Sequence, residues 1–133
     1  MKATKAASAD LYYTTDHEWI NFQGAIAYTG VCAFKLTGFR SIQQILFHLS
    51  SGFAKRGDVI ATIIYNDYRI EAHMPVDGKI ITVNQQLTSG NHLLDHPESY
   101  GWLAQISPAS PYNREGLLLP LQYQLNGKSK YAK

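Results

Sequence analysis

The chain has a single cysteine, Cys32, among its 133 residues, so it cannot form an internal disulfide bond. Nothing in the sequence therefore requires an oxidising compartment. Neither sign of charge is in large excess, because the formal net charge is only +2 and the lysines and arginines are scattered. This balance does not favour nucleic acid as a partner.

Long apolar runs are missing as well. The opening MKATKAASAD has no apolar centre of the kind a signal peptide needs, and no stretch approaches the length of a membrane span. We therefore predict a cytoplasmic protein without a membrane segment. The length fits one domain over residues 11–133, preceded by a flexible leader over residues 1–10.

Catalytic and metal-binding signatures are also lacking. The sequence contains no phosphate-binding loop, no Gly-x-Ser-x-Gly turn and no dinucleotide fingerprint. His92 and His96 have the spacing of metal ligands only on a helix, and the nearby Gly90 and Pro97 favour a loop. We therefore predict no metal site, no catalytic residue and no enzymatic activity of the chain's own.

Two smaller groups of residues have both a functional and a structural interpretation. His17 lies between Asp16 and Glu18, which suggests acid–base chemistry, but strand-entry polarity explains the same pattern. Lys35 near Cys32 could lower the pKa of the thiol. An isolated cysteine without a neighbouring base is more often a small buried apolar residue.

The clearest positive signal is a hairpin within residues 59–83. Asn66 and Asp67 separate two apolar runs, and these residue types tolerate the positive φ that a two-residue turn needs. With that turn, one face collects four apolar pairs, and a slip by one residue would scramble this sorting. The predicted pairs are Tyr65–Tyr68, Ile63–Ile70, Ala61–Ala72 and Val59–Met74 on that face, and Ile64–Arg69, Thr62–Glu71 and Ile60–His73 on the other.

The remaining chain reads as a mainly antiparallel β domain. Residues 11–22 and 25–29 form a predicted hairpin around Gln23-Gly24, and residues 30–38 a short helical turn that ends at Gly38. Residues 39–49 fit a helix or a buried strand equally well. A last strand begins at Trp102, and Pro120 makes any terminal helix short or kinked.

Short motifs along the chain resemble the glycine cleavage system H protein family. The similarity covers roughly residues 12–106, and the common order and spacing of the motifs make it fairly specific. The matching pieces are His17-Glu18-Trp19, Gly30-Val31, Ile42, Gly57-Asp58, Pro75-Val76-Asp77-Gly78, Val83-Asn84-x-x-Leu87 and Gly101-Trp102-Leu103.

The resemblance implies a barrel-sandwich hybrid of the lipoyl/biotinyl type, with short helices and a C-terminal helical segment. It also implies that residues 42–49 form a strand. In the family, a lysine at a hairpin tip carries a lipoyl group that collects an aminomethyl group from one glycine cleavage enzyme and delivers it to another.

The resemblance places Asp67 at the position of that lysine. A carboxylate has no amine with which to form the lipoyl amide, and no lysine lies between Lys55 and Lys79. The leading hypothesis is therefore a non-lipoylated binding or regulatory module that contains no cofactor. Its partners would be glycine cleavage enzymes or another protein.

Two alternatives remain open. In the first, the chain is a working lipoyl carrier modified at Lys79, just beyond the Asp77-Gly78 turn; the register of the strand favours an ordinary outward residue at Lys79 instead. In the second, the chain binds a small ligand in the cleft of the lipoyl arm, lined by His17, Glu18 and Tyr28. Tyr65, Asn66 and Tyr68 flank the tip and either stabilise the hairpin or contact a partner.

Overall fold

The computed structural model describes residues 10–89, 96–98 and 101–127. Its nine strands form two antiparallel sheets, a six-stranded one in the order β1-β2-β3-β9-β8-β5 and a three-stranded one in the order β4-β6-β7. The strands are β1 Leu11–Tyr13, β2 Glu18–Gln23, β3 Ile26–Val31, β4 Gln44–Phe47, β5 Gly52–Ala54, β6 Val59–Tyr65, β7 Tyr68–His73, β8 Gly78–Val83 and β9 Ala104–Pro108.

The main core lies between the two sheets, because alternate residues of each strand point inward. Ile20 and Ile106 of the larger sheet and Ile63 of the smaller one are fully buried there. The sheets are not closed into a barrel. The predicted mainly β, lipoyl-type architecture is confirmed.

The central hairpin has the predicted turn and register over most of its length. Tyr65 pairs with Tyr68, Ile63 with Ile70 and Ala61 with Ala72, and the intervening pairs also agree. The predicted pairing of Val59 with Met74, and of Ile60 with His73, is wrong. A bulge between Val59 and Ala61 shifts the register, so that Val59 lies opposite His73. The backbone N–H of Met74 donates instead to the carbonyl of Asp58, at 2.8 Å.

The first hairpin is offset by one residue from its prediction. Gln23 pairs with Ile26, so Gly24 and Ala25 form the turn, and Gly24 takes a positive φ of 68°. The predicted strand over residues 11–22 is divided into β1 and β2. The chain reverses between them at His17, which has a φ of 64°.

The ambiguous segment over residues 39–49 contains strand β4, which pairs with β6. A 3₁₀ helix at Ala33–Leu36 confirms the predicted helical turn, and Gly38 follows it with a φ of 94°. A second 3₁₀ helix spans Gln85–Ser89.

The C-terminal helix α1, Pro120–Gln122, continues into a π-helical turn at Tyr123–Gly127. The terminal helix is short, as predicted, but Pro120 begins it instead of interrupting it. This position suits proline, whose missing N–H has no partner in the first turn of a helix.

An aromatic cluster covers the outer face of strands β1–β3. The outward side chains of these strands pack beneath α1 and the chain leading into β9. Its members are Tyr13, Trp19, Cys32 and Tyr123, with Leu11, Tyr28, Trp102 and Leu118 at its margin. A hydrogen bond of 2.8 Å from the Trp19 indole to the Pro97 carbonyl holds residues 96–98 against this cluster.

The predicted leader lies outside the described residues except for Asp10. The Asp10 carboxylate forms a salt bridge with Arg114 at 2.8 Å, so this residue is attached to the domain. The possible ligand His92 also lies outside the described part of the chain. Among the helices that are described, none is long and apolar enough to cross a membrane.

Candidate functional site

The tip of the β6–β7 hairpin is braced by the segment that precedes β4. Asn66 takes a positive φ of 53° in the turn. Its backbone N–H donates to Gln43 Oε1 at 2.9 Å, and Gln43 Nε2 donates to Asn66 Oδ1 at 3.0 Å. These two bonds hold the amide side chain of Gln43 against the turn, so the tip has a defined conformation.

Three aromatic rings surround the base of the turn. The ring centroids of Tyr65 and Tyr68 are 6.2 Å apart, and Phe39 lies 6.0 Å from each of them. Tyr68 remains 58% exposed. The predicted tyrosine pair therefore exists and gains a third ring, and the exposed face of Tyr68 is available for contact with another molecule.

Asp67 is the other residue of the turn and is exposed. Its side chain projects from the part of the hairpin farthest from the core, on a base fixed by six pairs of residues. A reactive or recognition group at this position would be reachable by several different partners. The chain presents a carboxylate there.

A second polar cluster joins the two sheets. Glu18 on β2 is 1% exposed, and its Oε2 atom accepts hydrogen bonds from Lys35 Nζ at 2.7 Å and from the backbone N–H of His73 at 2.8 Å. His73 Nδ1 lies 2.8 Å from the same oxygen and 3.9 Å from Asp16 Oδ2. This buried carboxylate is therefore paired with a cation and satisfied by several donors, as burial requires.

His17 belongs to a different environment from its neighbour Glu18. It is buried, its Nδ1 lies 2.8 Å from the Tyr123 hydroxyl, and its ring packs 4.7 Å from Phe34. The imidazole therefore helps attach α1 to the domain. The interpretation of residues 15–18 as strand-entry polarity is too simple, because His17 and Glu18 each join distant parts of the chain.

Burial controls the ionisable groups of the aromatic cluster. Burial, and to a smaller extent the Glu98 carboxylate, raises the pKa of Cys32 to about 12, and Lys35 has the smallest effect, a lowering. The suggestion that Lys35 activates the thiol is therefore wrong. Burial also raises the pKa of Tyr13 and Tyr123 above the usual tyrosine range, and Tyr13 donates a hydrogen bond to Glu98 at 2.8 Å.

The structure does not assemble the predicted cleft of His17, Glu18 and Tyr28. Tyr28 pairs with Asn21, three residues from Glu18 along β2, so their side chains point to opposite faces of the sheet. The Tyr28 ring packs on Trp102, with centroids 5.2 Å apart. Lys79 is exposed and is the second residue of β8, paired with Phe53 and Ser107 on the two flanking strands, on the other sheet from the tip.

Two shallow pockets flank Arg56. One, of about 110 Å³, lies beside Glu18 and His73. The other, of about 160 Å³, lies beside Asp77 and Ser110. Both are smaller than the roughly 300–1,000 Å³ of typical small-molecule sites.

Several residues of these sites were not identified from the sequence. Lys35 and His73 are 17 and 55 residues from Glu18 in the sequence, and only the tertiary fold brings them to it. Gln43 and Phe39 precede a strand whose identity was open. The apolar run Ile45-Leu46-Phe47 in β4 was the one signal that could have placed them near the hairpin.

These features define a class of protein, a small two-sheet β module that presents a two-residue turn on a braced hairpin. Residues 11–130 match the family model described as glycine cleavage H-protein. The chain therefore belongs to the glycine cleavage H-protein family.

Individual relatives agree with this assignment. The glycine cleavage system H protein of Alkaliphilus oremlandii is 28% identical over 115 residues, which cover 86% of this chain and 91% of that protein. A probable H protein of Aeropyrum pernix is 29% identical over 115 residues, covering 86% and 80%. The crystal structure of an H protein from Mycobacterium marinum has a similar fold, with a TM-score of 0.74, 19% identity, and coverage of 91% of this chain and 99% of that one.

Proposed function

We propose that this chain is an H-protein-like module that is not lipoylated and acts as a non-catalytic binding or regulatory component. The observation that carries the proposal is the residue at the hairpin tip. By the resemblance to the family, the acceptor lysine corresponds to Asp67, and Asp67 occupies the exposed two-residue turn. A carboxylate there cannot form an amide with lipoate.

The surroundings of Asp67 support a role in binding. Gln43 holds the turn through two hydrogen bonds, and the exposed ring of Tyr68 lies beside it. A rigid tip loses little conformational entropy when it docks, which favours its use as a recognition element. Glycine cleavage enzymes are the first partners to test, because the relatives are named as parts of the glycine cleavage system.

The alternative of a carrier modified at Lys79 has less support. Lys79 is exposed, but it is the second residue of β8 and is paired on both sides, with Phe53 on β5 and Ser107 on β9. A long arm attached there would start from the face of a sheet and not from a protruding turn. An ordinary outward strand residue accounts for this geometry.

The alternative of a small-ligand binder also has less support. Glu18 and Tyr28 face opposite sides of the sheet, and the pocket beside Glu18 is about 110 Å³.

The predicted cytoplasmic location and the predicted domain limits, residues 11–133, stay predictions.

The proposal is tested by incubating the purified chain with lipoate, ATP and a lipoyl ligase, and measuring the intact mass. We expect no modification of the wild type and modification of Asp67→Lys, because that change restores an amine at the tip. Asn66→Lys, which moves the amine by one residue, is the matched control and is expected to be a poorer acceptor. Modification of the wild type, mapped to Lys79, would overturn the proposal.

A further inference from the structure

Asp16, Glu18 and His73 form a three-residue cluster away from the hairpin tip. Each offers one ligand atom, and these atoms all lie within 4.8 Å of one another. One imidazole with two carboxylates is a donor set that suits Zn²⁺ and similar divalent transition-metal ions. The sequence predicted no metal site, because the histidine is 55 residues from Glu18 in the chain.

The distances in the cluster are close to those of a coordination site. Two ligands at about 2.0–2.2 Å from one tetrahedral metal ion lie roughly 3.4 Å from each other. His73 Nδ1 is 2.8 Å from Glu18 Oε2 and 3.9 Å from Asp16 Oδ2, so the two distances bracket that value. The ligand atoms of Asp16 and Glu18 lie within 4.8 Å of each other, so the exposed Asp16 carboxylate would have to shift to bring all three donors around one ion.

Two of the donors are already fixed by the fold. Glu18 is buried on β2, and the backbone N–H of His73 on β7 donates to it at 2.8 Å. Asp16 lies in the turn before β2, and its side chain is 63% exposed. It can therefore adjust to complete the site, at a lower cost than moving a buried group.

The cluster adjoins a space for a further ligand. The pocket of about 110 Å³ is lined by Asp16, Glu18 and His73, together with Thr14, Thr15, Arg56, Gly57, Met74 and Pro75. A water molecule fits in this volume and could occupy an open coordination position. The guanidinium of Arg56, which also lines the pocket, donates to the carbonyls of Glu115 and Gly116, at 3.4 and 2.9 Å, and these bonds direct its N–H groups towards that backbone.

The charge around the cluster is balanced. Asp16 and Glu18 contribute two negative charges, and Lys35 and Arg56, which lines the same pocket, contribute two positive charges, so with a neutral His73 the sum is zero. Lys35 Nζ lies 2.7 Å from Glu18 Oε2 and competes with a metal ion for this carboxylate. An ion that binds must share the carboxylate with this ammonium group.

We propose that Asp16, Glu18 and His73 bind one divalent transition-metal ion of the Zn²⁺ class. The ion takes the place of the proton on His73 Nδ1, which leaves to solvent, and accepts one oxygen from each carboxylate. Lys35 stays hydrogen-bonded to Glu18 behind the ion and limits the affinity. The bound ion would link the larger sheet, through Glu18, to the smaller sheet, through His73.

The test is a titration of the full chain, freed of metal with a chelator, with Co²⁺ followed by visible absorption and with Zn²⁺ followed by calorimetry. We expect one equivalent to bind and Mg²⁺ not to compete. Asp16→Asn and His73→Ala should each weaken binding by at least about tenfold, since even indirect contacts to a ligand contribute about 10–100-fold. Lys35→Met should tighten it.

Controls separate this site from other surface histidines. His48→Ala, which removes a histidine bonded to Thr62 away from the cluster, and His96→Ala should bind like the wild type. Asp16→Asn changes an exposed residue, so its fold is expected to survive, and a thermal melt checks this. The proposal is overturned if the wild type binds no Co²⁺, if Asp16→Asn and His73→Ala bind as tightly as the wild type, or if Lys35→Met abolishes binding while a thermal melt shows that variant to be folded.

Discussion

The ion pair of Glu18 and Lys35 provides a stringent test of how the two sheets are joined. The side chains are only 2% and 14% exposed, respectively, so water screens their interaction weakly. Removing one partner of a buried pair commonly costs about 3–5 kcal/mol, because the other charge is left buried and unpaired. Glu18 keeps two donors from His73, so we expect Lys35→Met to destabilise the protein by about 3 kcal/mol, near the lower limit.

The measurement is urea unfolding followed by tryptophan fluorescence, in the presence of EDTA so that metal binding does not contribute. Lys55→Met, which removes an exposed lysine, is the matched control and should change the unfolding free energy by less than about 0.5 kcal/mol. The double variant Glu18→Gln/Lys35→Met removes both charges and keeps an acceptor for His73. It should recover to within about 1 kcal/mol of the wild type.

Two results would refute this reasoning. A loss below about 0.5 kcal/mol for Lys35→Met would mean that the ion pair is not buried as described. A double variant no more stable than Lys35→Met would mean that the lost packing of the lysine stem, and not the unpaired charge, causes the destabilisation.

Three further predictions concern the buried thiol, the close backbone contact at Gly78 and the hairpin tip. Burial raises the pKa of Cys32 from 9.0 to about 12, so between these pH values the unfolded chain releases a proton that the folded chain retains. The free energy of unfolding should therefore fall as the pH rises above about 9. Urea melts at several pH values test this, and the fall should be less steep for Cys32→Ala. Gly78→Ala would place a Cβ 2.6 Å from the backbone oxygen of Ser107 and should destabilise the protein by about 1–3 kcal/mol. The loss should exceed that of Gly30→Ala, whose Cβ would lie 2.9 Å from the Trp19 side chain. Equal thermal stabilities of the two variants would contradict this. Tyr68→Ala should cost less than about 1 kcal/mol, because it removes one cross-strand pair, and a larger loss would show that the tip is part of the core.

Local patterns were sufficient to predict the central hairpin. Asn66 and Asp67 supply a turn, and the alternation of apolar residues then allows one register, which the structure has from Ala61 to Ala72. The prediction failed at Val59 because a bulge depends on how the strand leaves the sheet, which residue alternation does not encode. Residue patterns left residues 39–49 open for a similar reason, since pairing with β6 decides their structure, and only the family resemblance predicted the strand that β4 confirms.

The candidate sites depended more on tertiary structure. The tip residue Asp67 was identified because the hairpin is local and the family motif is continuous around it. The cluster at Glu18 was missed because Lys35 and His73 are 17 and 55 residues away from it in sequence. His17 was grouped with Glu18 because they are neighbours, yet its positive φ directs it towards Tyr123 instead.

The intact mass of the protein purified from its native host tests the central proposal most directly. The account predicts the mass of the unmodified chain, because the turn presents Asp67 and offers no amine to lipoate. A mass increased by one lipoyl group would contradict it. Peptide mapping of that group to Lys79 would identify the chain as a carrier with a displaced attachment site.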